Sequence, residues 1–192
     1  MLPSVPTQSF SKGDSLARPL LLCWVALIVY ASLYPFAEWH PAAEGCYLFL
    51  FERIPYYWTW FDLVANVMGY APLGFLLVLV LKPHASNVRA TPWRCFLGYV
   101  LPAVLLGAML SYSMEVTQCW LPRYTSKLDW ITNVAGTALG AVIAWIMLYK
   151  QLDRHWHAGT AQLFSPKTRG AQLLLVLWPC ALLFPLAVTF AL

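Results

Sequence analysis

Charge is what this sequence has least of. Twelve Lys and Arg and eight Asp and Glu among 192 residues make 10% charged, against about 25% in a soluble domain. Hydrophobic residues make up 60% and aromatics 16%, with a mean hydropathy of +0.63. An apolar excess of that size cannot hide inside one small core, so much of it must face lipid. The formal net charge of +4 is too small and scattered for a phosphate-binding face, which excludes nucleic acid as a partner. Catalytic and metal motifs are missing too: there is no Cys-x-x-Cys, no His-Glu-x-x-His and no Gly-x-x-x-x-Gly-Lys. His40, His84, His155 and His157 form no ligand set, so neither a metal nor another cofactor is expected.

What remains is helix-forming apolar sequence. Five stretches are long enough to span at 1.5 Å per residue: Pro19–Tyr34, Leu63–Leu81, Cys95–Met114, Trp130–Tyr149 and Gly170–Leu192. The first follows Lys12 and Arg18 as a signal peptide would, but no clean small-residue cleavage site follows it, so a retained helix is expected. The expected fold is an all-α integral membrane protein of five transmembrane helices, two tandem helix hairpins plus a C-terminal helix. An N-terminal tail (1–18) precedes the four-helix membrane domain (19–149), and a cytoplasmic loop (150–169) leads to the fifth helix (170–192). With the N-terminus inside, Lys12, Arg18, Lys82, Arg89, Arg94, Lys150, Arg154, Lys167 and Arg169 lie on the cytoplasmic side. Only Arg53, Arg123 and Lys127 lie outside. That asymmetry predicts N-in, C-out.

The outer segment 36–60 carries Cys46 to Phe51, then Tyr56, Tyr57, Trp58 and Trp60. Amphipathic aromatics of this kind favour the headgroup level, as an anchor or as a gate over a site. Pro72, Pro102, Pro179 and Pro185 fall inside spans and are expected to kink them. Cys23, Cys95 and Cys180 read as small apolar residues, whereas Cys46 and Cys119 both project outward. A disulfide between those two is open, since sequence does not give their separation.

At an offset of 67 residues the chain resembles itself. Asp62, Asn66, Val67, Gly69 and Ala71 fall on Asp129, Asn133, Val134, Gly136 and Ala138. Both segments enter their helices from the outside, as parallel repeats would. Asp and Asn four apart share one helix face, so each helix has a carboxylate at its mouth and an amide one turn deeper. The intervening helix ends with Ser111, Glu115 and Gln118 on one face at the same depth, and Arg123 and Lys127 follow in the connector. A polar cluster near the outer leaflet is expected from this.

Each part has a simpler account. Asp62 and Asp129 can cap their helices. Asn66 and Asn133 can be interhelical hydrogen-bond glue, and Thr132, Gly136 and Gly140 can serve close packing. Glu115, at the end of an apolar span, needs a partner, for which Arg123 is the nearest planar cation. The convergence of all of them is what points to a site.

These residues resemble the VanZ-like family of small bacterial membrane proteins, named after a teicoplanin-resistance protein. The first part of the pattern is Asp62, Asn66, Tyr70, Pro72 and Gly74. The second is Ser111, Glu115, Gln118, Arg123, Asp129, Asn133 and Gly136. The resemblance covers Trp24 to Leu148, and makes 19–149 a VanZ-like membrane domain. Ser126 stands where many members carry an acidic residue, which leaves one fewer carboxylate. The resemblance implies a role at the cell envelope, touching susceptibility to lipid-bearing glycopeptides.

Three functions fit. The first is binding, with Asp62, Asn66, Glu115, Gln118, Arg123, Asp129 and Asn133 lining an outer-leaflet site in the bacterial cytoplasmic membrane. Its partners would be membrane lipids, a lipid-linked envelope intermediate or a lipoglycopeptide. The second is a membrane-embedded hydrolase or transferase. Glu115 or Asp129 would then be the base, Arg123 the electrophile and Ser111 the nucleophile, although no histidine neighbours that serine. The third, a transporter, is disfavoured because the inner halves of the second, third and fourth helices lack ionisable residues.

Overall fold

The computed structural model describes residues 17–36, 38–42, 44–51, 58–82, 91–123 and 125–150. Among them there are four helices and no strand: α1 (Ala17–Leu33), α2 (Trp60–Leu81), α3 (Pro92–Gln118) and α4 (Lys127–Tyr149). A short 3₁₀ turn spans Cys46–Phe51. By length and composition, α2, α3 and α4 can each cross a bilayer, and α1 is a shorter apolar helix. The chain is a membrane protein whose regular structure, among the described residues, is entirely helical. The expected fifth helix and the loop before it, with Pro179, Pro185 and Cys180, lie outside the described residues.

Each long helix starts about three residues before the apolar run that announces it, because its first turn carries a charged residue: Asp62, Arg94, or Lys127 with Asp129. Thr59 caps α2, and its hydroxyl accepts from the Asp62 N–H at 3.1 Å. The Asp62 carboxylate in turn accepts from the Thr59 N–H at 3.2 Å and from its hydroxyl at 2.7 Å. The two residues satisfy each other's orphan donors in a capping box. Ser126 caps α4 through the Asp129 N–H at 3.3 Å, and Pro92 opens α3 where a missing N–H costs nothing. Pro72 is carried inside α2 without ending it. Before Pro102, α3 is wound wider over Phe96–Val100, and the Leu101 N–H reaches back five residues to the Phe96 carbonyl. A wide turn absorbs a proline that can neither donate nor fit the tighter spiral.

Small residues set the packing. A Cβ on Gly136 would lie 2.5 Å from the Val67 carbonyl, and one on Gly140 would run into the Ala71 carbonyl. The contacts advance together by four residues, so α2 and α4 run parallel, backbone against backbone. Gly74 faces the Thr137 carbonyl from the other side of the same seam. In a membrane, where lipid is as apolar as the helix surface, such close approach is a main source of association. Helix α3 runs antiparallel to α4: Glu115, Ser111 and Gly107 meet Ser126, Asn133 and Thr137 in reverse order. Helix α1 closes the other flank, where the Trp24 indole N–H donates to the Gly69 carbonyl at 2.8 Å. The Trp130 indole likewise ties α4 to the Ala108 carbonyl of α3 at 3.1 Å.

Candidate functional site

The parallel run of α2 and α4 puts Asp62 and Asp129 at one end of the bundle, and α3 delivers Glu115 to that same polar end. Four buried polar side chains stand out against the apolar core: Ser111, Glu115, Asn133 and Thr137. Asn66 Nδ2 of α2 donates to Asp129 Oδ1 of α4 at 3.0 Å. Asn133 Nδ2 of α4 donates to Ser111 Oγ of α3 at 3.0 Å. Glu115 Oε2 accepts the Ser126 N–H at 2.9 Å, so the carboxylate holds the connector that opens α4. Asp129 lies within electrostatic reach of both Glu115 and Asp62. Such groups in lipid must find partners inside the protein, and these pairs link three helices while leaving Asn133 Oδ1 without one among the described residues.

Other expected site residues turn elsewhere. Asp62 is exposed and bonds its own cap residue. Gln118 Nε2 donates to the Ser32 carbonyl at 2.8 Å, and Arg123 Nη2 to the Tyr34 carbonyl at 3.1 Å. Ser32 lies in the last turn of α1 and Tyr34 just beyond its end, so both side chains serve the carbonyls left unpaired at a helix C-terminus. Arg123, the cation expected to partner Glu115, bonds the end of α1 and leaves that carboxylate to the Ser126 N–H. Arg123 is exposed and stays within electrostatic range of Glu115. Lys127 opens α4 as its first residue.

Cys46 and Cys119 form a disulfide, with Cα atoms 6.2 Å apart across 73 residues of sequence. It pins the aromatic segment to the end of α3, where Phe49 is fully buried and stacks on Tyr112 at 5.5 Å between ring centres. The Tyr112 hydroxyl donates to the Tyr47 carbonyl at 3.1 Å, and the His40 N–H to the Trp120 carbonyl at 3.0 Å. The segment is therefore folded onto the polar end. Around it Tyr47, Phe51, Trp58, Trp60 and Phe61 are exposed, as an aromatic belt at a membrane surface would be.

The groups brought together here can donate and accept hydrogen bonds and carry charge. Ser111 is not presented as a nucleophile: the Asn133 amide donates to its oxygen, and no base is bonded to it. The binding list drawn from sequence passed over Tyr70, Thr137 and Ser126. Tyr70 is buried with its hydroxyl beside Ser111, yet without a hydrogen-bond partner among the described residues. Its signal was periodic: Asp62, Asn66 and Tyr70 continue one face at four-residue steps, as Asp129, Asn133 and Thr137 do in the other repeat.

No curated protein and no solved structure matches the chain. The family model described as VanZ/LLP1 matches residues 19–148, which takes in all four helices and every residue of the polar end. The chain belongs to the VanZ/LLP1 family.

Proposed function

We propose that the polar end binds the headgroup of a lipid or of a lipid-linked envelope component at the outer face of the bacterial cytoplasmic membrane. By that binding the protein would lower susceptibility to teicoplanin and other lipoglycopeptides. The observation that carries this reading is the joining of Asn66 to Asp129, Asn133 to Ser111 and Glu115 to Ser126 over two successive turns at one end of the bundle, from three helices. Polar groups are expensive in a bilayer and tend to mark pathways or sites there. Exposed Trp58, Trp60 and Phe61 at the same end suit the interfacial zone. Arg123, just beyond the end of α3, is exposed and can meet a phosphate.

Orientation rests on two independent arguments. Disulfides persist in oxidising compartments, so Cys46–Cys119 favours the polar end outside. The basic residues divide nine to three in favour of N-in. A Cys introduced at Asn87 should then resist a membrane-impermeant maleimide added to intact cells, and labelling there would reverse the orientation.

The function is tested by Glu115→Gln. Glutamine keeps an acceptor for the Ser126 N–H and removes only the charge. The variant should reach the membrane at wild-type level and lose the effect on lipoglycopeptide susceptibility. Full retention of that effect would make the cluster structural.

A further inference from the structure

Two buried polar atoms near the middle of the cluster have no hydrogen-bond partner among the described residues: the Tyr70 hydroxyl and Asn133 Oδ1. Both residues are 6% exposed, and Ser111, which adjoins them, is fully buried. Native interiors pair nearly all such atoms, since an unpaired one costs about 1–3 kcal/mol. Turning the Asn133 amide over would let Oδ1 accept from Ser111 but would orphan Nδ2, so neither assignment closes the account. The three groups come from α2, α3 and α4, one turn deeper than Glu115 on α3 and than Asp129 on α4.

We propose that Tyr70, Ser111 and Asn133 form an interior position for a single hydroxyl oxygen. That oxygen accepts from Tyr70 and donates to Asn133 Oδ1, so one O–H group answers both orphans. Tyrosine supplies a donor on a rigid ring, and asparagine an acceptor whose amide is already held by Ser111 at 3.0 Å. Bound water and a headgroup alcohol offer the same chemistry. In its headgroup arm the proposal rests on the lipid reading above, and it makes the polar end selective for headgroups bearing a hydroxyl. Thr137 lies one turn further in, but its hydroxyl already donates to the Asn133 carbonyl at 2.9 Å, so the position ends there.

X-ray radiolytic footprinting of the full chain in lipid nanodiscs tests this, because radicals born from bound water oxidise the side chain they touch even when it is buried. Tyr99 is the control, being 9% exposed and bonded to Cys95 Sγ at 3.4 Å. In phosphatidylcholine, which has no headgroup hydroxyl, Tyr70 should be oxidised several-fold more than Tyr99. Asn133→Leu, or Ser111→Ala should the first variant not fold, should bring Tyr70 down to the Tyr99 level. Substituting phosphatidylglycerol distinguishes the sources. Tyr70 oxidation falls if the headgroup alcohol displaces the water, and holds if water is the resident. Tyr70 no more reactive than Tyr99 in both lipids would overturn the position, while the lipid reading would still stand or fall on Glu115→Gln.

Discussion

The two repeats start from nearly the same residues and reach opposite outcomes. At the mouth of α2, Asp62 folds back on Thr59 and stays exposed. At the mouth of α4, Asp129 leaves its cap residue to accept from Asn66 of the neighbouring helix. The amides differ in the same sense: Asn66 reaches across to α4, whereas Asn133 is taken by Ser111 of α3. The cause lies in the neighbours. Helix α4 lies between α2 and α3, with the connector tied to Glu115 at its start, while the first turn of α2 borders the open side, with Trp60, Phe61 and Val64 exposed. Identical local chemistry becomes a cap at an edge and a cluster member in the middle.

The sharpest way to break the comparison uses Gly69 and Gly136, which occupy the same place in the two repeats. A Cβ on Gly136 would meet the Val67 carbonyl at 2.5 Å and the Val67 Cα at 2.9 Å, and neither backbone atom can swing aside. A Cβ on Gly69 meets nothing within 4 Å. Gly136→Ala should therefore separate α2 from α4 and cost about 3 kcal/mol, the upper part of the overpacking range. Gly69→Ala should be neutral or gain up to about 1 kcal/mol from helix propensity. Thermal unfolding of the two variants in one detergent measures the contrast, and equal shifts would refute the asymmetric seam.

Next in size is Asp129→Ala. It strands the Asn66 amide in a partly buried place and removes a hydrogen bond to a carboxylate, a loss of about 2 kcal/mol. If the polar end binds a headgroup, the variant should still be found in the membrane but should lose the effect on lipoglycopeptide susceptibility. A folded Asp129→Ala protein with full effect would confine Asp129 to a structural role.

The sequence made the helices and the polar end readable because both rest on short-range patterns. The apolar runs Leu63–Leu81, Cys95–Met114 and Trp130–Tyr149 each fall inside an observed helix. Hydropathy places their starts late, because a charged residue in the first turn, such as Asp62, interrupts the apolar run. Side-chain direction was not readable. Arg123 lies eight residues from Glu115 in sequence, yet the end of α1 offers it an unpaired carbonyl, and that claim won. The Cys46–Cys119 disulfide needed a distance that no spacing supplies, because it depends on how 73 residues of chain return to the tip of α3. Tyr70 belongs to the family pattern but is not among the matched repeat positions, and its place in the site is legible only from its buried hydroxyl.

The smallest expected effect belongs to Asp62→Ala. The substitution removes the carboxylate that accepts from the Thr59 N–H and hydroxyl. The other half of the capping box survives, because the acceptor there is the Thr59 hydroxyl and the donor is the backbone N–H of residue 62. The freed Thr59 groups are exposed and can turn to water, so no desolvated group is left behind. A cost of about 0.5–1 kcal/mol is expected, as for a weakened cap, with the susceptibility effect retained. Asp62 lies within electrostatic reach of Asp129, so the comparison can still fail in one definite way. If Asp62→Ala abolished the effect as Asp129→Ala should, with unfolding shifted by no more than a lost cap explains, the two carboxylates would act on one ligand together. The exposed aspartate would then be the outer lip of the site and not a helix cap alone.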